Sequence, residues 1–501
     1  MDEKKFGIIL SYVNIILHAL IGFMYVPLLL FYIGTNEYGL YQLIGSFIAY
    51  FSVMDFGLTA AVVRFYSKYK AVEDKISMEN VLALAIRGYG LVGLFITIVG
   101  LAFYLHIDKL FCNSLSNDDI YIAKQLFLLL LFNILITITT MVFRAVINAH
   151  EKFIVLKSLD LLQLILQPIV VYLVLQRYPC ALSVAIVQTV LNICLICTRI
   201  FYCKKCLNIK IKYHYWNYEL YHGFSRLALW IFVERIVDQI FFKTNQIVLG
   251  IVSGTSSVAV YSISSLIYMN YMALSTAISG VYLPHITAII AKKSPMSSLS
   301  ELFIRIGRLQ YFLLALVASG FVIFGQQFIQ IWAGDSFVDA YLITLLIIIP
   351  FTVDLIQNIG LAIMQAQNKY DFRAKVYFVM GIFNLCLAIP LATKYGGIGC
   401  AFATGLAMFL GNGLIMNWYY YKITKLDILR FWKEIGWISV WVVALTIIGY
   451  LANTMFMSES KLLFITKIAV YTVVYLMVLY MTCMNDEEKA KVKGVLMNFG
   501  R

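Results

Sequence analysis

Charge is what this sequence has least of. Only 13% of its 501 residues are Asp, Glu, Lys or Arg, where a soluble domain carries about one-quarter. So few charges cannot clothe an ordinary solvated surface, which excludes a soluble globular fold. Proline is scarce as well, at seven residues, and that suits long helices. Pro27, Pro168, Pro350 and Pro390 fall inside apolar runs, where kinks are expected. Enzyme signatures are missing: there is no P-loop, no HExxH and no GxSxG at a strand–turn–helix. The six histidines are scattered without metal-ligand spacing. Without an ATP-binding motif, any transport would run on an ion gradient or on substrate flux. The outer loops are too short to hold the substrate and acids of a membrane glycosyltransferase.

What the chain has instead is apolar sequence, 62% of it, at a mean hydropathy of +0.85. Runs long enough to cross the hydrocarbon layer need about 20 residues. They recur throughout, as in "IILSYVNIILHALIGFMYVPLLLFYI" and "VLALAIRGYGLVGLFITIVGLAFYL". About fourteen spans are expected, over 6–33, 39–63, 81–106, 120–146, 156–177, 180–203, 225–250, 256–284, 303–327, 338–363, 374–393, 397–420, 435–453 and 462–484. The first is too long for a signal-peptide core and shows no small-residue cleavage site, so it reads as a span. The fold class is all-α and polytopic.

A net charge of +13 could suggest nucleic acid, but its distribution points elsewhere. With the N-terminus inside, "RFYSKYKAVEDK", "CKKCLNIKIKYHYWN", "QNKYDFRAK" and "YKITKLDILRFWKE" all fall on the cytoplasmic side. The outer loops keep little beyond Lys109, Arg177, Lys394 and Lys461. That bias places both termini in the cytoplasm and reads as topology and anionic-lipid contact, without nucleic acid. The nine cysteines include the spacings Cys194–Cys197 and Cys203–Cys206. Both lie on one helical run with no second ligand pair, so packing or lipid-facing cysteines are expected, with no metal and no cofactor.

An internal repeat organises the chain. "IGTNEYGLYQLIGSFI" resembles "VSGTSSVAVYSISSLI", with Gly34 and Tyr41 over Gly254 and Tyr261. "INAHEKF" resembles "MQAQNKY", with Ala149, Lys152 and Phe153 over Ala366, Lys369 and Tyr370. The offsets are 254 − 34 = 220 and 366 − 149 = 217. Six spans fit within that offset, an even number, so the halves insert in the same direction. Two parallel-repeat lobes of six helices, a transporter arrangement, are predicted. The expected organisation is an N-lobe over 1–203, a basic cytoplasmic linker over 204–224, a C-lobe over 225–420, and an appended pair of spans with a tail over 421–501.

The stretch opening the second lobe, "WIFVERIVDQIFFKTNQIVLG", carries charge inside a span. On a helical wheel Glu234, Arg235, Asp238, Gln239, Phe242, Lys243, Asn245 and Gln246 share one half-turn. Ile236, Val237, Ile240, Phe241, Ile247 and Val248 form the other half, expected to face lipid. The charged half must see protein, water or ligand. A structural ion-pair network and the wall of a transport cavity both satisfy that demand. Shifting Glu234 and Asp238 back by 220 gives Asn14 and His18 on span 1, a second polar pair at i, i+4. Asp354, followed by Gln357 and Asn358, is a further cavity candidate, and Asp55 lies in "MDFGL". Arg64 follows Asp55 by nine residues, and Arg87 and Arg144 lie one or two turns from the cytoplasmic boundary, where snorkelling explains them about as well as ligand binding.

Several of these stretches resemble a known family. "GTNEYGLYQLIGSFIAYFSVMDFGLTAAVVRFYSKY", "TNQIVLGIVSGTSSVAVYSI" and "KYGGIGCAFATGLAMFLGN" are similar to the polysaccharide transporters, the O-antigen or Wzx-type flippases of the multidrug/oligosaccharidyl-lipid/polysaccharide (MOP) superfamily. The resemblance covers spans 1 to 12 and implies a 6+6 helix fold with a central cationic cavity. It implies a bacterial cytoplasmic-membrane flippase of undecaprenyl-diphosphate-linked oligosaccharide, working by alternating access. Under that reading Arg235 and Lys243, then Arg87, Arg144 and Arg64, would meet the diphosphate, and Phe242, Asn245 and Gln239 the rest of the head group. Glu234, Asp238, Asp354, Asp55, His18 and Asn14 would set the cavity charge or bind a coupling Na⁺ or H⁺. The mixture of acids with bases on span 7 departs from a purely cationic face. It keeps a MATE-like cation-coupled multidrug antiporter as the alternative, with a membrane enzyme of glycan assembly behind it.

Overall fold

A computed structural model of the chain describes residues 3–215, 235–280, 282–292, 295–367, 369–455 and 460–490. Among them all regular structure is helical, as hydrocarbon demands of a backbone that must bond within its own segment. The first stretch runs α1 (Glu3–Ser52), α2 (Leu58–Ala71), α3 (Lys75–Phe111), α4 (Asn117–Thr139), α5 (Met141–Ala149), α6 (Phe153–Leu175) and α7 (Ala181–Lys205). After residues 216–234 come α8 (235–242), α9 (Thr244–Val252), α10 (Gly254–Ser279) and α11 (Leu283–Ala291). Then follow α12 (Met296–Ala333), α13 (Asp339–Leu355), α14 (Asn358–Ala366), α15 (Tyr370–Met408), α16 (Met416–Lys422), α17 (Ile428–Met455) and α18 (Lys461–Thr482).

Eleven helical stretches among the described residues are long and apolar enough to cross a membrane. Two of these, Leu17–Ala71 and Asp371–Lys422, hold 55 and 52 residues. A helix rises about 1.5 Å per residue, so each is far too long for a single crossing of about 30 Å. Each bends at a glycine with positive φ, Gly34 at 72° and Gly396 at 55°, and thus holds two spans. The eleven stretches therefore carry thirteen of the expected crossings, and the remaining one contains α8 and α9. Two expected spans are broken rather than continuous. Span 4 parts at Thr140, whose hydroxyl bonds back to the Ile136 carbonyl at 2.7 Å, a bond that competes with the helix ladder. Span 10 parts at Ile356–Gln357, six residues beyond Pro350.

By its internal contacts the chain forms two units, Met1–Leu266 with Ala388–Cys400, and Ile267–Leu387 with Ala401–Arg501. The sequence repeat is written into their geometry. The short helices α5 and α14 both have nine residues and differ by 358 − 141 = 217 in number. Lys152 N–H donates to the Ile147 carbonyl at 3.2 Å, and Lys369 N–H to that of Met364 at 2.9 Å, at the same offset. Gly34 and Gly254, paired in the sequence, both take positive φ, 72° and 79°, a conformation that strains any residue with a Cβ.

The appended helices are fixed to the second unit. Phe324 on α12, Leu445 on α17, and Tyr471 and Tyr475 on α18 share one core. The Tyr471 hydroxyl donates to Ser319 Oγ at 2.7 Å and that of Tyr475 to the Phe312 carbonyl at 2.9 Å. At one end of this core Arg308 of α12 is only 7% exposed. It donates to both oxygens of Glu488, at 3.0 and 2.8 Å, to Glu434 Oε2 at 3.0 Å and to the Cys483 carbonyl at 2.8 Å. Removing a buried charge strands its partners at about 3–5 kcal/mol. Arg308→Met should therefore lower the thermal midpoint of purified protein and open the α17–α18 region to protease; an unchanged midpoint and protease pattern would refute this anchoring.

Two glycines of the first repeat motif answer to different constraints. A Cβ on Gly39 would run into the Thr255 carbonyl oxygen, whereas one on Gly34 would meet nothing within 4 Å. Gly39→Ala should abolish recovery of monodisperse protein. Gly34→Ala should cost only the backbone strain, about 1–3 kcal/mol. Equal recovery of the two variants would contradict the close approach of α1 to α10.

Candidate functional site

The charged stretch of span 7 is not one straight helix. A turn at Lys243 (φ −118°, ψ −27°) divides α8 from α9, and Lys243 caps the start of α9. Residues on both sides of the turn pack into the first unit: Val237, Phe241, Asn245, Val248 and Leu249 are all buried. Asn245, 1% exposed, donates to the Tyr261 hydroxyl at 2.8 Å. Gln246 accepts from Ser46 of α1 and donates to Ser262 of α10 at 3.1 Å. The Tyr50 and Thr244 hydroxyls pair beside them. Val237, Phe241 and Val248 therefore meet protein rather than the lipid expected for them. Protein interior and lipid are both apolar, so hydropathy cannot tell one from the other. The helix face also turns: Asn245, expected toward ligand, belongs to a polar seam joining α1, α9 and α10.

Arg235 is exposed, while Asp238, Gln239, Phe242 and Lys243 are half-buried. Glu234 lies outside the described residues. On α1, Asn14 is half-buried and His18 exposed.

Arg235 acts electrostatically on Asp55. The sequence "MDFGL" is where the long first stretch unwinds. Val53–Asp55 form a single 3₁₀ turn, Phe56 takes φ 49° and Gly57 φ 69°, and α2 starts at Leu58. A left-handed phenylalanine costs of order 1–3 kcal/mol and persists only where its surroundings hold it. Here the Thr59 hydroxyl bonds to Asp55 Oδ1 at 3.0 Å and lies 2.9 Å from the Tyr89 hydroxyl. Tyr89 is fully buried. An acid and two hydroxyls thus meet where backbone groups have left the helix ladder, within the electrostatic reach of Arg235. Unwound backbone at membrane depth is tolerated where it lines a cavity or is covered by protein. The sequence showed Asp55 and Arg235 separately but neither their proximity nor Thr59 and Tyr89; the adjacent Phe–Gly was the signal available.

The other basic candidates lie elsewhere. The Arg87 guanidinium stacks on the Tyr213 ring at 3.8 Å, under the first residues of the linker. There His214 Nε2 meets Glu79 Oε2 at 2.8 Å, and Asn80 donates to the Tyr215 carbonyl at 2.9 Å. Arg144 pairs with Asp160 at 3.0 Å, and the same carboxylate holds the buried Arg199, also at 3.0 Å. Sequence reading missed Arg199, whose signal was a basic residue inside span 6. Arg64 is exposed beside the Phe65 ring. None of these three arginines has a contact with Asp55 or Arg235 among the described residues.

In the second unit Asp354 is half-buried beside the break between α13 and α14, with Arg373 acting on it electrostatically. Its expected companions are committed to packing. Gln357 donates to Asn417 Oδ1 at 3.2 Å, and Asn358 to Ser275 Oγ at 2.9 Å. Among the described residues no group of three or more His, Cys, Asp or Glu could hold a metal ion.

Comparison with known proteins places this geometry. A family model described as polysaccharide biosynthesis protein matches residues 5–290. A curated relative, the "Putative O-antigen transporter" of Shigella flexneri, is 22% identical over 404 residues, covering 78% of this chain and 91% of its own. Among solved structures, the lipid II flippase MurJ in an inward closed conformation aligns with a TM-score of 0.73 at 18% identity, over 94% of this chain and 97% of that one. An inward-facing MATE-family multidrug resistance transporter of the MOP superfamily aligns with a TM-score of 0.64 at 13% identity, over 84% and 99%. Identities this low establish the fold alone. The family model is the stronger finding, because it spans 290 − 5 + 1 = 286 of the 501 residues. The resemblance read from the Gly and aromatic motifs holds: this multi-pass membrane chain belongs to the polysaccharide biosynthesis protein family and has the fold of the MOP superfamily.

Proposed function

We propose that the chain is a flippase that moves undecaprenyl-diphosphate-linked oligosaccharide from the inner to the outer leaflet of a bacterial cytoplasmic membrane. The product would feed O-antigen or capsule assembly, with both termini of the chain cytoplasmic. The observation that carries this reading is the family match over residues 5–290, supported by a relative described as an O-antigen transporter. The fold of a structure described as a lipid II flippase agrees with it. No covalent chemistry is needed. A diphosphate–sugar head group cannot cross hydrocarbon unaided, and alternating access of two lobes lets it cross while the prenyl tail stays in lipid.

Arg235 is the residue we assign to the diphosphate. Guanidinium pairs with phosphate oxygens through two parallel bonds, and Arg235 is exposed on α8. Asp55 is its resident counter-ion. An arriving diphosphate would take Arg235 from Asp55 and leave the carboxylate to Thr59, Tyr89 and a coupling Na⁺ or H⁺. Lys243, at the turn between α8 and α9, is the second cation for the cargo, with Gln239 and Phe242 beside it for the sugars. Asp238, Glu234, Asp354, His18 and Asn14 would tune the charge that the cargo meets.

In cells lacking the native gene, Arg235→Ala should abolish surface polysaccharide while the protein stays at normal level in the membrane. Arg235→Lys keeps the charge but loses the fork, and should restore only part of the export. Normal export by Arg235→Ala would overturn the assignment. Asp55→Asn should slow export and flatten its dependence on the ion gradient. Gradient-dependent expulsion of cationic dyes by the wild type, without any effect on surface polysaccharide, would favour the antiporter reading suggested by the in-span acids.

A further inference from the structure

The helices α1, α4, α6 and α7 of the first unit border an open pocket of about 220 Å³, lined by Ile48, Leu130, Ile134 and five uncharged polar side chains: Asn133, Thr137, Gln163, Gln188 and Asn192. Asn133 lies near the middle of the α4–α5 stretch, Gln163 near that of α6 and Asn192 near that of α7. The cavity is therefore at mid-depth in the hydrocarbon, where an amide without a partner is expensive.

Part of the amide capacity is satisfied by the protein. Asn192 Nδ2 donates to Asn133 Oδ1 at 2.5 Å and to Thr137 Oγ1 at 2.7 Å. The Tyr41 hydroxyl donates to Gln188 Oε1 at 2.6 Å. That leaves the Gln188 NH₂, one Asn133 NH₂ and the Asn192 carbonyl oxygen, and Gln163 has no hydrogen-bond partner among the described residues. The remaining edges include both donors and acceptors, and the lining holds no acid for a cation and no base for a phosphate.

The fold itself does not require these side chains. At the 217 offset, Asn133, Thr137, Gln163, Gln188 and Asn192 correspond to Pro350, Asp354, Met380, Gly405 and Phe409. There the equivalent space is closed: a Cβ on Gly405 would collide with the Leu346 carbonyl and lie 3.2 Å from Pro350 Cγ. Four of the five polar positions carry no hydrogen-bonding side chain in the second unit. One lobe packs its helices directly, while the other holds them apart around a neutral polar chamber.

We infer that this chamber is a sugar subsite, which takes one neutral, hydroxyl-rich ring of the cargo by amide hydrogen bonds while Ile48, Leu130 and Ile134 cover its C–H faces. It is smaller than the ~300–1,000 Å³ of a drug-sized site, and so suits a single ring rather than an oligosaccharide. The inference rests on the flippase reading and adds to it a place where sugar, not phosphate, is recognised. Hydrogen-bonding sites discriminate because an absent partner leaves the site's buried polar groups unpaired.

The test uses the full chain in lipid nanodiscs and two probes: the lipid-linked oligosaccharide that accumulates in cells deleted for the chain, and bare undecaprenyl diphosphate. The wild type should bind the glycosylated lipid about tenfold more tightly than the bare one, the equivalent of one net hydrogen bond. Gln163→Leu should bring that ratio to about one, leave the affinity for the bare lipid unchanged, and leave or raise thermal stability, since its amide has no partner among the described residues. Gln188→Leu should lower the same ratio. An unchanged ratio in Gln163→Leu, or a wild-type ratio of one, overturns the sugar subsite and shows the chamber to be hydrated packing space. Failure of the wild type to bind either lipid overturns the flippase reading as well.

Discussion

Every break in a membrane helix must be satisfied from within the protein, and this constraint shapes the chain more than any single contact. Hydrocarbon offers no partner to a freed N–H or C=O. The breaks here fall at Gly34, Asp55–Gly57, Thr140, Lys243, Ile356–Gln357 and Gly396. Around most of these sits polar chemistry that an apolar span would otherwise exclude. Thr140 covers the break in span 4, and Ser275 donates to the Leu355 carbonyl at 2.7 Å at the break in span 10. Thr59 and Tyr89 support the unwound turn at Asp55. The break at Asp55–Gly57 adds an acid within the electrostatic reach of Arg235, as the break in span 10 adds Asp354 within that of Arg373.

The charges within the spans divide by what they hold. Arg308 ties α12 to the appended helices, and Asp160 draws two arginines together. Arg87 supports the linker through Tyr213. Those are structural uses of residues that are costly in lipid. Asp55 stands beside irregular backbone with Arg235 acting on it, as Asp354 does with Arg373, and a discontinuous helix is where transporters bind charge. On the proposed reading, few of the scarce charges serve cargo.

Most of the fold was legible because its signals are local and strong. Apolar run length marked the spans, and the Ala–x–x–Lys–aromatic motif located a helix junction at which both units repeat the lysine N–H bond back to the helix. The site was less legible for three physical reasons. Hydropathy does not separate lipid from protein interior, so Val237, Phe241 and Val248 were placed on the wrong side. A helical wheel says nothing of the neighbour that will take an amide, as Tyr261 takes Asn245. Residues 180 positions apart, such as Asp55 and Arg235, come within electrostatic reach only through tertiary packing. The asymmetry between Gln188 and Gly405 was present in the sequence all along, but it needed the structural offset to become visible.

The central claim is that this chain carries a lipid-linked oligosaccharide across the bilayer. Its most direct test is reconstitution of the purified chain into liposomes preloaded with that lipid in both leaflets, followed by the fraction of sugar exposed to an external glycan-oxidising or lectin probe over time. The account predicts that the protected inner-leaflet fraction becomes accessible in vesicles holding the chain and stays protected in empty ones. A protected fraction that persists unchanged in the presence of folded protein, with and without an ion gradient, would contradict it.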